Sequence, residues 1–278
     1  MRRIGQWGHG WIGSALIPLM PGRVADIVDN SFTLNSGRSK SLLSNLLRAG
    51  IARKMAVSEN QSGIAEYHRN FWAGDYAKAY HDQNRHQFQE MFLDDFLGVV
   101  DELETVLEQN RSITTICEIG TGSGQLLDYL SNRLPTIKRF IGIDLSDATI
   151  RDNRERYPND SIDWIAADAI EWIEQNAGPA WVFVSHRGVM EYFTQSQVES
   201  LFRFIAEKKS PAVLLVIEPV GLDHDLENQF ESQPYGIEYS LSHNYPHLLR
   251  SAGFEVRHLK SKEYFSYELH AYLAKAEL

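Results

Sequence analysis

Residues 118–124 read Glu-Ile-Gly-Thr-Gly-Ser-Gly ("EIGTGSG"), directly after the apolar-rich run Ile113 to Cys117. Three glycines in five positions, just past a strand, let backbone approach a ligand that side chains would hold off. A phosphate-gripping loop needs Lys-Ser or Lys-Thr after its glycines, and Gln125-Leu126 stands there instead. A dinucleotide fingerprint counted from Gly120 needs its third glycine at position 125; here it falls at Gly124, one residue early. The stretch reads as strand, ligand-facing turn and helix, with a spacing that counts against both a nucleoside triphosphate and NAD.

Working outward, strands and helices alternate from residue 113 onward. Strands are expected at 113–118, 138–143, 161–166, 180–185 and 212–218, and helices near 123–133, 147–156, 169–176 and 195–208. That order predicts a largely parallel sheet covered on both faces. A late helix, 243–252, is closed by Gly253. Two alternating runs, 254–260 and 268–275, follow and are expected to pair as an antiparallel hairpin on the sheet edge. The fold class is therefore α/β: a Rossmann-like open sheet of about seven strands, mostly parallel, with a C-terminal antiparallel hairpin and an N-terminal helical extension. Residues 1–110 are expected to form that extension and 111–278 the core.

The extension has its own texture. Leu42, Leu43, Leu46, Leu47, Ile51 and Met55 recur at helical spacing, and an aromatic stretch from Tyr67 to His81 follows the polar break at 58–63. Residues 86–109 read as one long amphipathic helix with Phe88, Phe92, Phe96, Val99, Val100, Leu103 and Leu107 on its stripe. Met1-Arg2-Arg3 before the apolar Trp11–Met20 stretch superficially resembles a signal peptide, but Gly8, His9, Gly10, Gly13 and Pro18 interrupt it and it is too short to span a bilayer. It reads as a cap or surface segment, with no stable membrane insertion expected.

Two carboxylates extend the pattern of the glycine turn. "FIGIDLS" puts Asp144 at the end of the second strand, where it can accept ribose hydroxyls. "IDWIAADAIEWI" puts Asp168 just past the third strand, positioned to meet an adenine amino group or to cap the next helix. With these residues the chain resembles the class I S-adenosylmethionine-dependent methyltransferases over roughly residues 65–276, most strongly over 116–192. "SHRGVMEYF" (185–193) resembles the family's fourth-strand run, and "HNYPHLLRSAGFEV" its late helix and turn into the sixth strand. The resemblance implies S-adenosyl-L-methionine as cofactor. Glu118, Gly120, Thr121, Gly122 and Gly124 would meet its methionine and ribose, Asp144 and Leu145 its ribose, and Ala167, Asp168 and Ala169 its adenine. Ser185 and Tyr76 are further expected cofactor contacts. One departure stands at the start of the fourth strand, where Ala180-Trp181 replaces a frequent acidic residue.

On the acceptor side, His186 and Arg187 close the fourth strand, where open α/β sheets bind ligands. His186 is a candidate general base, and Arg187 a partner for an acidic substrate or for Glu191. His243, the second candidate catalytic residue, and Tyr245 open the late helix beside the expected acceptor pocket, which Tyr67, Trp72 and Tyr192 would also line. The histidines lack the close ligand spacing of a zinc site, so no metal is expected. Against 27 Lys and Arg stand 37 Asp and Glu, a formal charge of -10 that disfavours a main role in gripping nucleic acid. The single cysteine, Cys117, excludes an intrachain disulfide and fits a cytoplasmic setting. The expected activity is methyl transfer to a small-molecule acceptor, O or N nucleophile first, with the extension also a candidate homodimer surface. Two readings stay open beside it: a non-catalytic binder of S-adenosylmethionine or S-adenosylhomocysteine, and an NAD-dependent oxidoreductase.

Overall fold

Parallel strands need crossovers, and the computed structural model supplies one helix for nearly each, laid out along the described residues 11–29, 42–57, 61–74, 76–209, 211–236, 240–264 and 267–276. The basic start at residues 1–3, residues 30–41 and part of the 58–63 break lie outside the described residues. The N-terminal part carries α1 (Pro21–Asp29), α2 (Leu42–Val57), α3 (Gln61–Ala73), α4 (Tyr76–Asn84) and α5 (Gly98–Gln109). Then β1 (Thr115–Ile119), α6 (Gln125–Arg133), β2 (Arg139–Asp144), α7 (Asp147–Arg156), β3 (Ile162–Ala166), α8 (Ala169–Asn176), β4 (Trp181–His186), α9 (Gln195–Lys208) and β5 (Ala212–Gly221) alternate. The chain closes with the short pair β6 (Gln233–Tyr235) and β7 (Ser240–Ser242), then α10 (Tyr245–Ser251), β8 (Glu255–Glu263) and β9 (Tyr267–Ala276).

The main sheet has seven strands in the order β3-β2-β1-β4-β5-β9-β8. The first five are parallel, and β9 runs antiparallel to both β5 and β8. The expected hairpin forms, but only β8 is an edge: β9 is threaded between β5 and β8. Composition accounts for this. Strand β9 buries Leu269, Ala271, Tyr272, Leu273 and Ala274, whereas β8 carries Glu255, Arg257, Lys260, Lys262 and Glu263, the charged character that protects an open edge.

Alternation along the strands separates two cores. Ile116, Val182, Val184, Val213 and Leu215 face α5 and α6 on one side, while Cys117, Ile119, Phe183, Leu214 and Val216 face α9 and α10 on the other. Burial among these side chains pushes the Cys117 thiol well above its ordinary pKa, consistent with a packing role.

The long helix expected over 86–109 is broken. A π turn spans Gln89–Leu93, with Asp94 N–H donating to the Gln89 carbonyl at 3.0 Å, and turns at 94–97 separate it from α5. Asp95 lies seven residues after Phe88, so an unbroken helix would carry its carboxylate along the apolar stripe. The wider turn instead sends Asp95 to the β8–β9 hairpin, where it accepts the Tyr264 hydroxyl at 2.9 Å and pairs with Lys262. Phe92, within the π turn, and Phe96, within the turns that follow, stay fully buried.

Candidate active site

At the end of β1 the chain leaves Ile119 through Gly120 (φ +67°) and Gly122 (φ +48°), left-handed backbone that disfavours any side chain. Thr121 N–H donates to the Ile143 carbonyl at 2.8 Å, tying the turn to the end of β2. Asp144 then holds the turn from the other side. Its Oδ2 accepts the Gly122 N–H and its Oδ1 the Ser146 N–H, both at 2.9 Å. Asn153 on α7 donates to the Gly122 carbonyl at 2.8 Å. Glu118 is buried and accepts the Thr121 hydroxyl at 2.6 Å; burial pushes its pKa up to about 8. Asp168 caps α8 by accepting the Ile170 and Glu171 N–H groups at 3.0 and 3.1 Å, and its second oxygen pairs with Arg69 of α3.

Helices α3 and α4 lay aromatic rings over this turn. Trp72 stacks on His81 with ring centroids 5.6 Å apart and meets Tyr192 at 5.4 Å, while His68 meets Tyr192 at 4.7 Å. The His81 ring rests on the glycine turn so closely that a Cβ on Gly122 would stand 2.8 Å from His81 Cε1. Val189 covers Gly120 in the same way. His81 Nε2 and Trp72 Nε1 are enclosed without a hydrogen-bond partner.

The cleft runs from the turn to the ends of β4, β5 and β9 and the β6–β7 pair, with a volume of about 760 Å³ in all. The loop after β4 is held by fully buried Glu218 on β5, which accepts the Ser185 hydroxyl and the N–H groups of Gly188 (3.0 Å) and Val189 (3.1 Å). Burial raises Glu218 to about 7. Arg187 (φ +60°) and Gly188 (φ +83°) make the sharp turn this anchoring requires. Nearby, Glu191 accepts the Tyr235 hydroxyl. His186 lies edge-on to Phe92 at 5.0 Å, with Nε2 enclosed and unpartnered; burial, then the neighbouring Arg187 charge, lowers its pKa well below the ordinary value.

Residues 116–211 match a family model described as a methyltransferase domain. The strand order around that stretch is that of a Rossmann-like methyltransferase fold. Among solved structures, the plantazolicin methyltransferase BpumL in complex with SAH is 18% identical over 83% of this chain and 100% of that chain, with a TM-score of 0.52. The N-terminal domain of EvdMO1 with SAH bound is 14% identical over 64% of this chain and 80% of that one, TM-score 0.47. The methyltransferase domain of bacterial CtHen1-C is 13% identical over 64% and 96%, TM-score 0.47. At such identities the likeness is one of fold. No curated protein sequence matches the chain.

Around the glycine turn, Glu118, Gly120, Thr121, Gly122, Asp144, Leu145, Ala167, Asp168 and Ala169 all line the cleft, and His186, Arg187, Trp72 and Tyr192 line it too. Others do not reach it. Gly124 opens α6 beneath the turn, where a Cβ would meet Trp164, Asn153 and Tyr157. Ser185 is buried behind the loop on Glu218. His243 is fully buried, with Nδ1 on the Ser232 hydroxyl at 2.6 Å and Nε2 on the Met190 carbonyl at 2.9 Å; burial holds its pKa down to about 4. Tyr245 packs edge-on against it, inside the core, and Tyr67 packs edge-on against His68. The side chain of Tyr76 lies outside the described residues.

The expected Arg187–Glu191 pair is absent. Arg187 donates instead to Gln87, because Glu191 is already bonded to Tyr235. Several cleft residues carried no sequence signal for the site: Arg69, Gln87 and Tyr235 arrive from three separate segments. His81 had one, since it follows Tyr80 on the helix that carries the aromatic stretch. Among the described residues no group of three or more His, Cys, Asp or Glu is arranged to hold a metal, and no helix is long and apolar enough to cross a membrane.

Proposed function

We propose that this chain transfers the methyl group of S-adenosylmethionine to a small-molecule acceptor through an oxygen or nitrogen nucleophile. The observation that carries the reading is the ring of three carboxylates, Glu118, Asp144 and Asp168, at the ends of β1, β2 and β3 around a glycine turn that bears no basic side chain. The residues suit the cofactor chemically. A zwitterionic tail with an ammonium group, two ribose hydroxyls and an adenine amino group each offer hydrogens to carboxylates, and no phosphate needs a cation. The enclosed, unpartnered nitrogens of His81 and Trp72 supply polar contacts above the turn. The aromatic faces of Trp72 and Tyr192 suit a sulfonium cation by about 0.5–2 kcal/mol.

When bound, the cofactor offers an electrophilic methyl group on sulfur. The protein's part is alignment and exclusion of water, and good alignment of two reactants contributes about 7–11 kcal/mol. On this reading the lid is that part of the 1–110 extension which reaches the cleft, from Ser62 to Phe88. His186 takes the acceptor's proton. Burial and the neighbouring Arg187 charge lower its pKa and keep it neutral at pH 7, the state that can accept a proton. A cleft of about 760 Å³ suits a small molecule.

Calorimetric titration with S-adenosylmethionine and S-adenosylhomocysteine tests the reading. Micromolar binding that is lost in Asp144→Ala is the expected result. Saturable NAD binding with no response to either sulfur nucleoside would overturn it.

A further inference from the structure

At the end of the cleft formed by β4, β5 and β9, the acids are satisfied and the donors are not. Glu191 accepts the Tyr235 hydroxyl and further hydrogen bonds from Tyr192 and Ser240. Glu218 accepts three donors from the 185–189 loop. Neither carboxylate has much capacity left for a cationic acceptor.

Arg187 lies in the same space with the opposite balance. One nitrogen of its guanidinium donates to Gln87 Oε1 at 2.5 Å. Gln87 in turn donates to Asn84 Oδ1 at 3.1 Å, and Asn84 to the Tyr80 carbonyl at 2.8 Å. This relay of neutral amides fixes one corner of the guanidinium and carries no charge to offset it. Among the described residues no Asp or Glu forms an ion pair with Arg187, and the rest of its N–H fork has no protein partner. Its backbone sits in the left-handed region at φ +60°, anchored by its N–H on the Ile217 carbonyl at 2.7 Å. A half-buried cation held in strained backbone without a counter-ion is a feature that structure alone does not reward. Tyr267 of β9 lines the same corner with a hydroxyl that makes no hydrogen bond to another described residue, close enough for the Arg187 charge to lower its pKa against the larger effect of burial.

We propose that the methyl acceptor is a carboxylate-bearing small molecule whose carboxylate docks on the Arg187 guanidinium and the Tyr267 hydroxyl. The inference rests on the methyl-transfer reading above and names the acceptor class for that site. A carboxylate matches the planar N–H fork of arginine with two parallel hydrogen bonds. It also matches the charge: one guanidinium neutralises one carboxylate, whereas a phosphate dianion would keep an excess negative charge near Glu191 and Glu218. Docking there leaves the remainder of the acceptor between Arg187 and its neighbour His186, the group assigned above to take the proton.

The test is calorimetry of the protein, free and saturated with S-adenosylhomocysteine, against benzoate, phenylacetate and N-acetyltyrosine, each beside its primary amide, with phenyl phosphate as a further probe. At least one carboxylate is expected to bind, with its amide weaker by at least about tenfold. Arg187→Gln removes that preference, and Arg187→Lys, which keeps the charge without the fork, restores part of it. Amides equal to carboxylates, phenyl phosphate tighter than every carboxylate, or no binding by any carboxylate overturns the proposal. The comparison of acid with amide on the unaltered protein stands even if the Arg187 variants do not fold. Failure of S-adenosylhomocysteine to bind sinks the cofactor reading separately, because the acid preference is also read on the free protein.

Discussion

Burial raises Glu118 from its ordinary 4.5 to about 8 in the free protein, so folding takes up a proton between those values. Its contribution to stability is fully present below the unfolded pKa and is lost as pH rises through the folded one. A ligand that brings positive charge to this carboxylate favours the ionised form and expels the proton. Affinity for S-adenosylmethionine is therefore expected to rise with pH between 6 and 8, by at most about tenfold per unit. Calorimetry in buffers of different ionisation enthalpy would detect the released proton, and Glu118→Gln flattens the slope; a flat profile in the unaltered protein would count against this role. Gly122 gives a second residue-level prediction. Alanine there would sit at φ +48° and press on the His81 ring, so Gly122→Ala should lower stability by about 1–2 kcal/mol and weaken the ligand. Gly98→Ala, at the start of α5 with nothing within 4 Å of the new Cβ, should stabilise by about 0.4–1 kcal/mol in the same melting experiment.

At the scale of elements, Asp168 is both the cap of α8 and the partner of Arg69 on α3, and substitutions separate the two roles. Asparagine keeps an acceptor for the Ile170 and Glu171 N–H groups, whereas alanine removes it at a cost of about 0.5–2 kcal/mol. The Arg69 pair is nearly half exposed on the arginine side, and pairs of that kind contribute about 0–1 kcal/mol. Thermal melts should rank Asp168→Ala lowest, with Asp168→Asn and Arg69→Ala close to the unaltered protein. Equal losses for Asp168→Asn and Asp168→Ala would mean that the ion pair matters more than the cap. Most elements of the core were legible beforehand, and their boundaries fell within two or three residues, because buried parallel strands write unbroken apolar runs bounded by turn residues. The break at 89–97 was not, since its cause is a contact between Asp95 and a hairpin 167 to 169 residues away. The β6–β7 pair was missed for another reason: three residues per strand carry no periodicity.

For the whole molecule, what could be read ahead was the half of the cleft built by consecutive strand ends, where Glu118, Asp144 and Asp168 follow the rhythm of the βαβ units. The other half is assembled from segments with no common pattern. Gln87 meets Arg187 across a separation of 100 residues, and Glu191 meets Tyr235 across 44. Which polar groups end up satisfied, and which are left over, is a property of that assembly and not of any local run. Strand order belongs to the same scale: hairpin pairing could be read from the β8 and β9 sequences, while the insertion of β9 beside β5 required weighing the charge of one strand against the other. The resting place of His81 on Gly122, beneath Trp72, has a kinetic side. Those rings cover one side of the turn, and capture is predicted to include a motion of α3 and α4. In stopped-flow experiments that follow Trp72 fluorescence, the observed rate should climb with ligand concentration and then level off, where simple collision would keep it rising in proportion. The plateau would measure how often this protein opens on its own, and no excess of ligand would hurry it.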